Sequence, residues 1–137
     1  MSEPGVRQLR VVLQVDDLDA AVAFYRDALG LAERDAFSDP DGRVVILEAG
    51  RATLELTDEA HARFIERVEG VAVEGVAGDP PRLRLAFEVD DADGATRRLE
   101  AAGTLVVAPP VRTPWDSLNA RLAGPEDTAV TVFEELG

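Results

Sequence analysis

The chain repeats itself. Leu9-Arg10-Val11-Val12-Leu13-Gln14-Val15-Asp16-Asp17-Leu18-Asp19-Ala20-Ala21 recurs as Leu83-Arg84-Leu85-Ala86-Phe87-Glu88-Val89-Asp90-Asp91-Ala92-Asp93-Gly94-Ala95, at a constant offset of 74 positions from Leu9 to Leu83 and from Ala21 to Ala95. A duplicated half constrains architecture before any single residue does. Two copies of one unit build a pseudo-twofold shape, with a cleft where the copies face each other.

The repeat extends beyond each copy. Asp19 to Leu29 and Asp93 to Ala102 are amphipathic runs, closed by Gly30 and Gly103. Asp19 and Asp93 are the expected N-caps, and each Gly is the expected C′ residue. Leu18, Ala21, Val22, Tyr25 and Leu29 recur at helical spacing and form one apolar stripe.

Alternation marks the strands. Residues 9–15 and 83–89 predict strands with Val11, Leu13, Val15, Leu83, Leu85, Phe87 and Val89 on the core face. Further strands are predicted near 33–37, 43–48, 51–57, 104–108, 118–123 and 129–134, and a helix over 59–68. Pro109, Pro110 and Pro114 are expected to break regular structure before Trp115. The order is β-α-β-β-β, written twice. We therefore expect one domain over 1–137, made of a module at 7–58, a connector at 59–82 and a second module at 83–136.

Composition narrows the function. The formal charge of −13 argues against nucleic acid, whose phosphates it would repel, and favours solubility and cationic small molecules. The chain has no cysteine, which fits a reducing, cytoplasmic setting and excludes disulfides and thiol chemistry. No apolar run reaches the roughly 20 residues of a membrane helix, and residues 1–7 lack a signal-peptide pattern. The three serines, Ser2, Ser38 and Ser117, stand in no motif that pairs one with the single histidine, His61, and His61 reads as a surface residue. Gly70, Gly75 and Gly78 have no Lys, Ser or Thr beside them to grip a phosphate, so they read as linker.

If the apolar strand faces pack on the helices, the opposite faces line the concave side. They carry Arg10, Val12, Gln14, Thr53, Glu55, Arg84, Ala86, Glu88, Ala129, Thr131 and Phe133. Trp115, on its Pro-flanked loop, is placed against the rim. Such a floor suits a small-molecule pocket. It equally suits mutual neutralisation, with Arg10 and Arg84 paired to Glu55 and Glu88. The two readings are compatible.

Two tandem β-α-β-β-β modules resemble the vicinal oxygen chelate superfamily, which includes glyoxalase I, extradiol dioxygenases and bleomycin-resistance proteins. The run from Val15 through Phe24-Tyr25 to Leu29-Gly30-Leu31 is similar to the family's first strand and helix. Pro114-Trp115 and Gly124-Pro125-Glu126-Asp127 are similar to its Trp loop and its acidic turn. The resemblance implies an α+β fold in which two curled mixed sheets surround a cleft. In catalytic members that cleft holds a divalent metal, and the ligand positions fall here on Arg10, Glu55, Arg84 and Thr131. Arg has no lone pair to give a metal, Thr is a poor ligand, and one carboxylate does not hold a catalytic ion.

The resemblance is thus to the metal-free bleomycin-resistance type. It implies a homodimer, with no cofactor, that binds a small organic molecule such as an antibiotic or metabolite. The expected ligand-binding residues are Arg10, Gln14, Glu55, Arg84, Glu88, Trp115, Thr131 and Phe133. The net charge favours a cationic ligand, whereas the two cleft Arg favour an anionic or carbonyl-bearing one. The alternatives are a superfamily enzyme (lyase, isomerase or dioxygenase) using a divalent metal or Glu55 as base, and an interaction module with a filled cleft.

Overall fold

The computed structural model describes residues 10–53, 55–71 and 78–137. In chain order these form α1 (Leu18–Val22), continued by a π-helical turn (Ala23–Ala28), then β1 (Glu33–Asp39), β2 (Gly42–Leu47), α2 (Glu59–Val68), β3 (Arg84–Glu88), α3 (Ala92–Ala101), β4 (Leu105–Arg112), β5 (Ser117–Ala123), a 3₁₀ turn (Pro125–Asp127) and β6 (Ala129–Glu135). The fold is α+β. β1 and β2 pair antiparallel, and the second half builds a four-stranded mixed sheet in the order β3-β6-β5-β4. Its sequence β3-α3-β4-β5-β6 is the predicted β-α-β-β-β unit.

The repeat is visible in the helix starts, two residues earlier than the sequence suggested. Asp17 and Asp91, not Asp19 and Asp93, are the N-caps, accepting from the N–H of Ala20 and Gly94 at 3.0 Å each. A capping side chain must reach a backbone N–H three residues on, and in each Asp-rich run only this carboxylate does. Asp19 and Asp93 instead sit in the first turn, where acids suit the helix dipole. A glutamate from the second half secures each start as well, one from the 3₁₀ turn before β6 and one from β6. Glu126 accepts from Asp16 N–H at 2.7 Å, and Glu134 accepts from Ala92 N–H at 2.9 Å. Gly30 and Gly103 come after the helical segments with φ of 99° and 102°, the left-handed conformation expected of C′ glycines.

Three strand expectations are corrected. Residues 10–15 carry no strand pairing, and Leu9 lies outside the described residues. Residues 51–57 likewise form no strand where described; Leu54 lies outside. Alternation supplies a face, but a strand also needs a partner for its backbone groups. Conversely, Pro109 and Pro110 do not end regular structure. They lie inside β4, at an edge of the sheet, where the register shifts between Ala108 and Val111. An edge and a bulge are the two places where a strand tolerates proline.

One core joins the two halves. Ala21, Phe24, Tyr25 and Leu29 from the first half cluster with Leu99, Ala120, Leu122, Val130 and Val132 from the second. Both helical segments thus cover one face of the large sheet. The Tyr25 phenol is pushed above its ordinary value of 10.0 by burial, an effect only partly offset by Thr128. The folded state therefore holds this proton past the pH at which the unfolded chain releases it, and stability falls as pH rises above about 10.

The composition makes this testable. With one tyrosine, no cysteine and only arginine among the Lys and Arg positions, Tyr25 is the one side chain that titrates between about pH 9 and 12. Urea unfolding between pH 8.5 and 11 is expected to show a decline that Tyr25→Phe abolishes. An identical decline in the variant would refute the assignment.

Candidate functional site

The opposite face of the large sheet is polar by alternation. β5 presents Ser117, Asn119 and Arg121 there, while Ala120 and Leu122 join the core. Register aligns these side chains across strands. Arg121 stands opposite Thr131, which stands beside Ala86; Asn119 stands opposite Phe133, which stands beside Glu88.

α2 lies over this face. It begins at Asp58, whose carboxylate accepts from His61 N–H at 2.9 Å. Its covered stripe runs Ala62, Ile65, Glu66, Glu69 at helical spacing, and two of those four are acids. An acid at a helix C-terminus opposes the dipole, so Glu66 and the C-cap residue Glu69 are locally unfavourable. The compensation is tertiary. Arg121 Nε donates to Glu69 Oε1 at 3.0 Å, and Nη1 donates to both oxygens of Glu66 at 3.1 and 2.9 Å. Glu69 and Arg121 are 1% and 3% exposed. A buried charge of this kind persists only when paired and hydrogen-bonded.

Around Glu69 the donors converge. Asn119 Nδ2 donates to Oε2 at 3.0 Å, and the Thr131 hydroxyl donates to Oε1 at 2.8 Å. Arg84 Nη1 donates to the Thr131 hydroxyl at 2.9 Å and lies 3.8 Å from Glu69 Oε2. A chain of hydrogen bonds leads outward. Ser117 Oγ donates to Asn119 Oδ1 at 2.7 Å and bonds the Thr113 hydroxyl at 2.8 Å. Thr113 and Ser117 bracket the loop that carries Trp115. That loop closes with Ser117 O accepting from Thr113 N–H at 2.8 Å. Trp115 is 46% exposed and packs on Phe64 of α2, with ring centroids 6.2 Å apart.

Of the residues singled out from the sequence, Arg84 and Thr131 are bonded members of this cluster. Phe133 and Glu88 lie on the same sheet face, half-buried and exposed respectively. Trp115 is tied to the cluster through its loop. Arg10, Gln14 and Glu55 are exposed, in stretches without strand pairing, outside the buried cluster. Arg84 lies near Glu69, where Glu55 and Glu88 were the expected partners. His61 is exposed, as expected of a surface residue.

Asn119, Arg121, Glu66 and Glu69 are not among the residues that the sequence singles out. Two signals point to them: the polar alternation Ser117-Asn119-Arg121, and the one-turn spacing of Glu66 and Glu69.

The donor set does not suit a divalent metal. Thr131 Oγ1 is engaged by both Arg84 and Glu69, and each oxygen of Glu69 already accepts a hydrogen bond. The nearest groups are guanidinium cations, which repel a metal and lack a lone pair. Among the described residues, no three His, Cys, Asp or Glu side chains are grouped to hold one, and no helix is long and apolar enough to cross a membrane.

The fold recurs in known proteins. A lactoylglutathione lyase from Agrobacterium tumefaciens is 28% identical, with a TM-score of 0.57 over 96% of this chain and 96% of that one. A protein of unknown function from A. tumefaciens C58 is 27% identical, with a TM-score of 0.60 over 96% and 98%. TnmS3, an antibiotic binding protein from Streptomyces sp. CB03234, is 18% identical, with a TM-score of 0.60 over 97% and 99%; at that identity the likeness speaks for the fold alone. No curated protein matches the chain. The family model described as Glyoxalase/Bleomycin resistance protein/Dioxygenase superfamily matches residues 7–132. With nearly all of its length under that match, the chain belongs to the glyoxalase/bleomycin resistance protein/dioxygenase superfamily.

Proposed function

We propose that this protein binds a small organic molecule, an antibiotic or metabolite, on the polar face of the four-stranded sheet, and that it does so without a metal. The observation that supports this most is the convergence of Arg84, Asn119, Arg121 and Thr131 around the Glu69 carboxylate on that face, joined by hydrogen bonds to the loop that carries Trp115 against Phe64. A few directed polar groups beside aromatic surface are what an organic ligand needs for orientation and contact area. Phe133 and Glu88 extend the floor, and exposed Arg10, Gln14 and Glu55 are assigned to the facing wall. The setting we propose is cytoplasmic, in keeping with the absence of cysteine. The active form we propose is a homodimer, consistent with exposed Phe37 and Val44 on the two-stranded sheet.

The enzyme reading with Glu55 as base draws less support. Glu55 is exposed, and among the described residues no hydrogen bond joins it to the cluster. Native mass spectrometry of freshly purified protein tests the choice. The expected result is a dimer carrying a small organic mass and no stoichiometric metal. Arg84→Ala and Trp115→Ala should each reduce the ligand retained at least about tenfold, the scale of one lost charged or aromatic contact. One divalent ion per chain, with turnover that depends on it, would replace the binding reading by the metalloenzyme one.

A further inference from the structure

The Glu69 carboxylate is the centre of the buried cluster. It takes hydrogen bonds from Arg121 Nε, Asn119 Nδ2 and Thr131 Oγ1, with Arg84 behind Thr131. Two guanidiniums and two neutral donors facing one carboxylate make a recognition site for that group. We propose that this cluster is a receptor for the carboxylate of a small organic acid, and that Glu69 occupies it until such an acid displaces α2. The inference rests on the small-molecule reading above and names the class of ligand.

Two further observations carry it. First, Glu69 and Glu66 are imperfect occupants. Arg121 offers a planar fork, yet Glu69 takes only Nε, and both oxygens of Glu66 share the single Nη1. Among the described residues nothing accepts from Arg121 Nη2, although the side chain is only 4% exposed. A free acid, unconstrained by a helix backbone, can take two parallel N–H donors of the guanidinium at once. Second, α2 can leave. It contributes no residue to the core cluster, which draws on α1, its π-helical continuation, α3, β5 and β6. Besides Ile65, the buried side chains of α2 and its C-cap are Glu66 and Glu69, the acids that hold it to the sheet. Its outer contacts are the Phe64–Trp115 pair and exposed bonds from Arg63 to Gly78 O and Asp79. A displacing acid with an aromatic body has Trp115 to replace Phe64 as its neighbour.

Two measurements test this on the full chain. In Glu69→Ala the donors Asn119 Nδ2, Thr131 Oγ1 and Arg121 Nε have lost their tethered occupant, while Glu66 keeps Arg121 Nη1. Sodium acetate is expected to raise the variant's Tm by about 4 °C at ten times its dissociation constant. Sodium chloride at equal ionic strength should not, and acetate, which has no aromatic body to replace Phe64 against Trp115, should leave the wild type unchanged. Equal effects of acetate and chloride on the variant would overturn the proposal.

If Glu69→Ala fails to fold, the wild type decides. Sodium benzoate should speed amide exchange across Glu59–Val68 and change the emission of Trp115, the one tryptophan. Unchanged exchange and emission at saturating benzoate would overturn it. A neutral or cationic molecule found bound by mass spectrometry, protecting β5 and β6 from exchange, would sink the carboxylate class and leave the binding reading standing. Absence of any bound organic molecule, with no effect of acetate on Glu69→Ala and none of benzoate on the wild type, would overturn both readings.

Discussion

Arg121→Met is expected to lower the free energy of unfolding by about 3–5 kcal/mol, the cost of removing one partner from a buried ion pair. Typical domains have only about 5–15 kcal/mol in total. Most of the effect comes from what stays behind. Methionine approximates the volume of the arginine stem, so little cavity forms. Glu66 and Glu69 remain, however, with side chains 8% and 1% exposed, and among the described residues Arg121 is the one donor to the Glu66 carboxylate. Glu66 then has no cationic partner among the described residues, and Glu69 keeps only Arg84 at 3.8 Å.

A double-mutant cycle with Glu66→Gln separates this from a packing defect. Glu66→Gln is expected to destabilise the wild type and to stabilise Arg121→Met, because in the second background it removes an uncompensated charge. Urea titrations of the four proteins give the coupling directly. Strict additivity would mean that Arg121 acts through its stem and that the ion pair carries no net weight.

This cluster also shows where a sequence stops being informative. The repeat was legible because backbone rules are local. Asp17 and Asp91 cap their helices, and Gly30 and Gly103 end them, on nearest-neighbour grounds alone. Even so, the cap assignment slipped by two residues, since an Asp-Asp-Leu-Asp run offers several carboxylates and only geometry selects one. Arg84 and Thr131 were readable from alternation, which places a side chain on a face.

Glu66 and Glu69 were not, because a charged helix face normally means solvent, and only the approach of Arg121 reverses that. The strands expected at 9–15 and 51–57 are absent from the described residues 10–15, 51–53 and 55–57 for a related reason. Their periodicity is sound, but pairing is a property of two segments. The prolines of β4 erred in the other direction. Proline forbids a central strand, and nothing local says that β4 lies at an edge.

Leu99→Ala is expected to cost about 2–5 kcal/mol, the range for removing a fully buried leucine side chain. Leu99 is 0% exposed on α3 and packs among Phe24, Tyr25, Ala120, Leu122, Val130 and Val132. By the 74-residue offset its counterpart is Tyr25, so the two repeats place equivalent helix positions into one shared cluster. Relaxation around the lost side chain should be slight. Sheet residues form the floor of the cluster, and the T-shaped Phe24–Tyr25 pair, with ring centroids 4.8 Å apart, forms its wall. The value should therefore fall in the upper part of the range.

The shared core makes a second claim, about cooperativity. Tyr25 reports on the first half and Trp115 on the second, and each is the chain's one residue of its kind. If the cluster joins the halves into one folding unit, tyrosine absorbance and tryptophan emission trace a single urea transition. Leu99→Ala should then shift both midpoints together by the same amount. Separate midpoints, with only the tryptophan signal moved by the substitution, would show that the duplicated halves unfold independently and that the contacts between Tyr25 and the second half contribute little to stability.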